Sequence, residues 1–184
     1  MTFYFLRHGE TLSNTNSIYA GWSNEGLTPR GRMQAEEAAK KLANFNIDVI
    51  YSSPLRRAVQ TAETIATYLN KILIIEETFK ELRLGLWEGL HEDEIAREFK
   101  EQWNIWNKRP GELVLDGRET LDQLLERALT GINKIKTNNN QRSAVVVTHV
   151  PIIRVIYLYI NKIDINKYRG IEVNNGQIFL FRNL

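Results

Sequence analysis

Apolar residues fall along this chain in two rhythms. Short runs rich in aromatic and β-branched residues occur at Phe3 to Leu6, Asp48 to Tyr51, Ile72 to Ile75 and Ala144 to Val147. They predict strands, and the unbroken Ala144–Val147 run predicts a central parallel one. Gln177 to Phe181 predicts a last strand at a sheet edge. Between these runs the spacing turns helical. Ala35, Ala38, Ala39 and Leu42 share one face of a helix predicted over Thr28 to Phe45, with Thr28 as its cap and Pro29 at its first position. Leu55, Ala58, Ala62, Ile65, Ala66 and Leu69 mark a second helix, opened by Ser53-Pro54. Leu121, Leu124, Leu125, Ala128, Ile132 and Ile135 mark another, and Pro151 opens a strongly apolar one. Asn138-Asn139-Asn140 reads as a polar turn.

Strands alternating with helices predict an α/β fold, a three-layer sandwich on a mostly parallel central sheet. The segment from about Glu81 to Gly117 breaks the rhythm. It holds a short helical piece near Asp93 to Phe99, Trp103, Trp106 and a Pro-Gly pair. It reads as a cap-like insertion, the kind of place where a substrate site is carried.

Composition narrows the function. The 184 residues suit one domain spanning 1–184. A net charge of only +2 gives no general affinity for nucleic acid. There is no cysteine, which removes disulfides, thiol nucleophiles and cysteine metal sites and fits a reducing cytoplasm. The longest apolar stretch, Val150 to Ile160, is too short to span a bilayer and contains Arg154. The N-terminal run Phe3–Leu6 is too short for a cleavable signal.

The chemistry gathers at strand ends. Of the three histidines, His8 follows the first strand and His149 follows the Ala144–Val147 strand. Ligands of open α/β sheets bind at the carboxyl ends of strands, so the two imidazoles are placed to face one site. One such histidine is as often a loop residue without a chemical role; the pairing shifts the balance. Arg7, Arg57 and Arg154 lie near the same ends, and forked guanidinium donors match phosphate oxygens. Arg56 and Arg154 also fit the commoner reading of a solvated surface charge. The histidines lack metal-ligand spacing with carboxylates, so no metal site is expected.

These residues form a wider pattern. Arg7-His8-Gly9-Glu10-Thr11 with Asn14 resembles the signature of the histidine phosphatase superfamily, the phosphoglycerate mutase-like fold. Leu27-Thr28-Pro29-Arg30-Gly31, Ser52 to Ala58 with Thr61-Ala62, Glu81 to Gly89, and Val147-Thr148-His149 are similar to further segments of that family, in the same order. The resemblance implies roles. His8 is the nucleophile that becomes phosphohistidine. Arg7, Arg57 and His149 bind the phosphoryl oxygens with Asn14, and Val150 offers a backbone N–H. Glu81 is the general acid for the leaving oxygen and then the base for water. The chain departs from the family at His149-Val150-Pro151, where many members have a glycine-rich turn. Glu88 is expected to fix the Trp87 loop.

Physical chemistry sets two conditions on those roles. The imidazole must be neutral, with its other nitrogen held by a hydrogen bond. Glu81 must have a raised pKa to be protonated near neutrality. No cofactor or metal ion is implied, because two arginines and a histidine supply the positive charge.

The compact length and Gly-Leu-Trp-Glu-Gly segment resemble the small phosphatases of the family, among them α-ribazole-5′-phosphate phosphatases of cobalamin assembly and broad-specificity phosphatases. The expected partner is then a small phosphorylated metabolite, with no nucleic acid and no membrane, and the chain a monomer or homodimer. Trp103 or Trp106 would stack on an aromatic base, or else pack the cap on the core. The alternatives are a phosphoglycerate mutase, a protein phosphohistidine phosphatase and a non-catalytic binding module on this fold.

Overall fold

The computed structural model describes residues 1–137 and 143–182. The Asn138–Asn140 turn lies outside the described residues. Five strands form one sheet: β1 (Thr2–Arg7), β2 (Val49–Ser52), β3 (Leu73–Ile75), β4 (Ser143–Thr148) and β5 (Ile178–Arg182). Their spatial order is β3-β2-β4-β1-β5, with all pairs parallel except β1–β5. The β-branched Ser143–Thr148 run is the central strand, buried along its whole length. β3 and β5 are the edges, which is why their side chains are half exposed.

The period-two alternation of a strand divides the core. Phe3, Phe5, Val49, Tyr51, Ala144 and Val146 face one cluster, together with residues of α6 (Leu121–Thr137) and α7 (Val150–Ile160). Tyr4, Leu6, Ile50, Val145 and Val147 face the other, against α2 (Pro29–Leu42) and α3 (Arg56–Leu69). Helices therefore cover both faces, giving the expected three layers.

The helices keep close to their predicted bounds. α2 starts as predicted, with the Thr28 side chain accepting from the Gly31 N–H and Pro29 in the first turn, but it stops at Leu42 rather than Phe45. α6 runs to Thr137, and α7 begins at Val150, with Pro151 in its first turn where no N–H is needed. A four-residue helix, α1 (Leu12–Thr15), follows the first strand.

Residues 81–117 hold α4 (Glu92–Glu98), α5 (Lys100–Lys108) and two single 3-10 turns, Gly85–Trp87 and Pro110–Glu112. Trp87 is fully buried and Trp106 nearly so. His91 caps α4, its Nδ1 accepting from the Asp93 N–H at 3.1 Å. The third histidine is thus structural.

Candidate active site

Register brings the two predicted histidines together. Arg7 pairs with Thr148 at the parallel ends of β1 and β4, so His8 and His149 leave the sheet side by side. Their ring centroids are 5.1 Å apart. β2 ends alongside at Ser52, which delivers Ser53 to the same edge.

The His8 ring is fixed in one tautomer. Its Nδ1 donates to the Gly9 carbonyl at 2.7 Å, an acceptor that cannot donate back. Nε2 therefore carries the lone pair, and Arg57 Nε donates to it at 3.3 Å. Burial, then the charges of Arg57 and Arg7, hold the His8 pKa well below that of a free imidazole. The ring is neutral throughout the physiological range.

Glycine allows the loop around His8 to close against α2. A Cβ on Gly9 would meet the Gly31 carbonyl, and one on Gly31 would meet the Glu10 carbonyl. This backbone-to-backbone contact explains why Leu27–Gly31 accompanies the Arg-His-Gly segment. Thr61 of α3 accepts from the Gly9 N–H at 3.0 Å, and Asn175 donates to the His8 carbonyl at 3.0 Å. Asn175 also donates to Asn14 Oδ1 at 2.9 Å, which aims Asn14 at the cavity.

His149 is fully buried. Its Nε2 meets Ser53 Oγ at 2.7 Å. That oxygen already accepts from the Leu55 N–H at 3.3 Å, so its own proton is free to go to Nε2. With Ser53 as donor, the proton of His149 sits on Nδ1, which has no other hydrogen-bond partner and lies 3.6 Å from Glu81 Oε2. A buried nitrogen without a partner beside the His8 ring suits an incoming oxygen.

Arg57 is buried with every nitrogen committed. Besides His8, it donates from Nη1 to the Ser23 carbonyl at 3.1 Å and from Nη2 to the Gly21 carbonyl at 2.7 Å. Gly21 has φ of +51°, and a Cβ there would strike the Glu88 carboxylate. Glu88 thus lies against the loop that holds Arg57. Between the two carbonyls, Trp22 donates from its indole to the main-chain carbonyl of Glu81 at 2.7 Å. The tripeptide Gly21-Trp22-Ser23 ties Arg57 and Glu81 into one frame. Arg127 completes it, donating to the carbonyls of Thr78, Lys80 and Glu81 while pairing with Glu119.

Glu81 Oε1 accepts from the Leu82 N–H at 2.7 Å, and Oε2 is 4.0 Å from Arg57 Nη2. Burial outweighs the arginine and raises its pKa to about 7. Arg7 donates to the Val173 carbonyl at 2.7 Å; its Nε is buried and unpartnered, and burial lowers its pKa to about 10.

Arg7, His8, Asn14, Gly21, Arg57 and Glu81 line one cavity of about 250 Å³, together with Val150, Leu82 and Leu84. His149 lies just behind that lining. Arg154 corrects the surface-charge reading. It lines the same cavity, because it stands one helical turn after Val150 on the same face of α7. Arg56 is exposed, as that reading requires. Sequence reasoning missed Ser53, Asn175 and the carbonyls of Gly9, Gly21 and Ser23. Among the described residues, no group of three His, Asp or Glu is placed to hold a metal ion, and no helix is long and apolar enough to cross a membrane.

The family model for the histidine phosphatase superfamily, branch 1, matches residues 3–182. The chain belongs to that superfamily. Phosphoserine phosphatase 1 of Hydrogenobacter thermophilus is 29% identical over 93% of this chain and 81% of its own length. A solved Entamoeba histolytica phosphoserine phosphatase variant, in complex with phosphoserine, is 29% identical with a TM-score of 0.82, over 98% of this chain and 90% of the other. A putative α-ribazole-5′-P phosphatase from Escherichia coli superposes with a TM-score of 0.86 at 22% identity, over 98% and 89%, a likeness of fold. Other relatives carry phosphoglycerate mutase names.

Proposed function

We propose that this chain hydrolyses small phosphomonoesters through a phosphohistidine on His8. The observation that carries this is the His8 tautomer: Nδ1 is held by the Gly9 carbonyl, and Nε2 offers a neutral lone pair beside Arg57. In the first step Nε2 attacks phosphorus, forming P–N as the ester P–O bond breaks. Protonated Glu81 gives its proton to the leaving alkoxide. In the second step the Glu81 carboxylate takes a proton from water, whose oxygen attacks phosphorus. The P–N bond breaks, inorganic phosphate leaves and His8 is restored. Arg7, Arg57, the Nδ1–H of His149 and the Val150 N–H stabilise the charge on the equatorial oxygens, with Asn14 beside them.

A pKa near 7 suits both duties of Glu81, since each form is populated at neutrality. The arginines supply charge that a metal ion would otherwise bring, so the reaction is read as metal-independent. The segment 81–117 acts as a cap on a single domain, and a cytoplasmic setting suits a chain without cysteine. The names of the relatives supply two first substrates, O-phosphoserine and α-ribazole 5′-phosphate. A mutase would instead return the phosphoryl group to its product, and primed isomerisation of 3-phosphoglycerate distinguishes it.

The test is phosphate release from p-nitrophenyl phosphate in EDTA between pH 5 and 8, for the wild type and His8→Ala. Release that survives the chelator and vanishes in the variant is expected. Equal release from both proteins would remove His8 from the chemistry.

A further inference from the structure

The segment that carries Glu81 has no regular ladder to hold it. After the single 3-10 turn Glu77–Phe79, the chain at Lys80 and Glu81 belongs to neither a strand nor a helix. Its main-chain carbonyls are held by side chains instead. Thr148, beside His149 at the end of β4, donates to the Phe79 carbonyl at 2.7 Å. Arg127 of α6 takes the carbonyls around it: Nη1 donates to those of Thr78 and Lys80, each at 2.8 Å, and Nη2 to that of Glu81 at 3.3 Å.

The remaining donors of the guanidinium go to Glu119, Nε to Oε1 at 2.8 Å and Nη2 to Oε2 at 2.7 Å. All five N–H groups are therefore used, and the planar fork cannot turn without breaking several bonds at once. Glu119 grips the far side of Glu81 as well, since its N–H donates to the Arg83 carbonyl at 3.0 Å.

Helical spacing puts two more contacts on the same face of α6. Gly131, one turn after Arg127, lets the segment come so close that a Cβ would meet the Thr78 hydroxyl. Lys134, a turn further, pairs with Glu76 at 2.6 Å, and Glu76 accepts from the Thr78 N–H and hydroxyl. The charge of Arg127 does not explain this arrangement. It favours the carboxylate and lowers the pKa that burial raises, which opposes a proton donor. What the guanidinium contributes to Glu81 is place.

We propose that Arg127 is a positioning residue of the reaction, holding the Glu81 carboxyl beside Arg57 and His149 through the main chain around it. This rests on the phosphatase reading above, with Glu81 as proton donor, and names the residue that aims the donor.

The experiment measures kcat and KM for glycerol 2-phosphate and p-nitrophenyl phosphate in the wild type, Arg127→Lys, Glu81→Gln and the double variant. Lysine keeps the charge and loses the fork. Arg127→Lys is expected to lose roughly 10–100-fold in kcat on the alkyl ester, the scale of a misplaced catalytic group, with KM little changed. On p-nitrophenyl phosphate, whose leaving group needs no proton, the loss should be at most about threefold. In the Glu81→Gln background, Arg127→Lys should cost nothing further on either ester. Wild-type rates in Arg127→Lys, equal losses on the two esters, or an undiminished loss in the Glu81→Gln background would overturn the positioning role and leave the phosphatase reading standing. Glu119→Gln, of unchanged size, and Gly131→Ala, with every donor kept, are read in the same way if Arg127→Lys does not fold; a loss selective for the alkyl ester is expected, and an unselective or absent one in both overturns the role. Absence of His8-dependent hydrolysis of either ester by the wild type overturns both readings.

Discussion

Replacing Glu81 by glutamine should make the protein a poorer catalyst and a more stable one. The two effects follow from one fact, a carboxyl held in a site that raises its pKa from 4.5 to about 7. Folding then favours the protonated form. The stabilisation this gives is fully present below pH 4.5 and is lost as the pH rises through about 7. A shift of that size corresponds to roughly 3 kcal/mol, of which about 2 kcal/mol is lost between pH 5 and pH 8. Only 14% of the side chain is exposed, so solvent screening removes little of it. The glutamine amide cannot ionise and escapes the loss. In urea denaturation, the variant should gain about 2 kcal/mol on the wild type between pH 5 and pH 8. In catalysis, removing a general acid costs on the order of 10²–10⁴-fold where the leaving group needs the proton. Alkyl phosphates should suffer that loss, and p-nitrophenyl phosphate should lose much less, because p-nitrophenolate leaves unaided. The fall in wild-type kcat/KM for alkyl esters above pH 7 should disappear in the variant, while the substrate's own ionisation at about pH 6 remains in both. Equal losses on both ester types, or a stability difference that does not change with pH, would refute the role and the buried environment assigned to Glu81.

Two further predictions test the framework around the site. Trp22→Phe removes one N–H donated to the Glu81 carbonyl at 2.7 Å and keeps an aromatic ring. It should depress alkyl phosphate hydrolysis several-fold more than p-nitrophenyl phosphate hydrolysis, whereas equal losses would mean that Trp22 serves only the fold. Gly31→Ala places a methyl against the Glu10 carbonyl. Despite the better helix propensity of alanine, it should cost roughly 1–3 kcal/mol in chemical denaturation and lower kcat, because the His8 loop must move.

The core of the fold is legible in the sequence because its signals are dense. The Ala144–Val147 run marks a fully buried central strand, and the alanine stripe of α2 marks its face. α5 is hard to read because Lys100–Lys108 has Phe99 rather than a polar side chain at its start and only a narrow stripe of apolar residues. His8, His149, Arg7, Arg57 and Glu81 are readable from residue type, position after strands and the family resemblance. The groups that orient them are not. The carbonyls of Gly9, Gly21 and Ser23 belong to the backbone, and no side-chain pattern announces a carbonyl. Ser53 looks like a helix-opening residue, and only register across β2 and β4 brings it to His149. Arg154 is easily misread because a surface charge is the usual fate of arginine. Its spacing from Val150 is the available sign that it shares the face turned to the cavity.

The most direct test of the central claim is to trap the intermediate. Wild-type protein would be mixed with O-phosphoserine or p-nitrophenyl phosphate, quenched in alkali within milliseconds and digested for peptide mass spectrometry. The account predicts an alkali-stable, acid-labile phosphate on the peptide containing His8, absent from His8→Ala. Phosphate on another residue, or steady turnover with no phosphoprotein formed at any time, would contradict it.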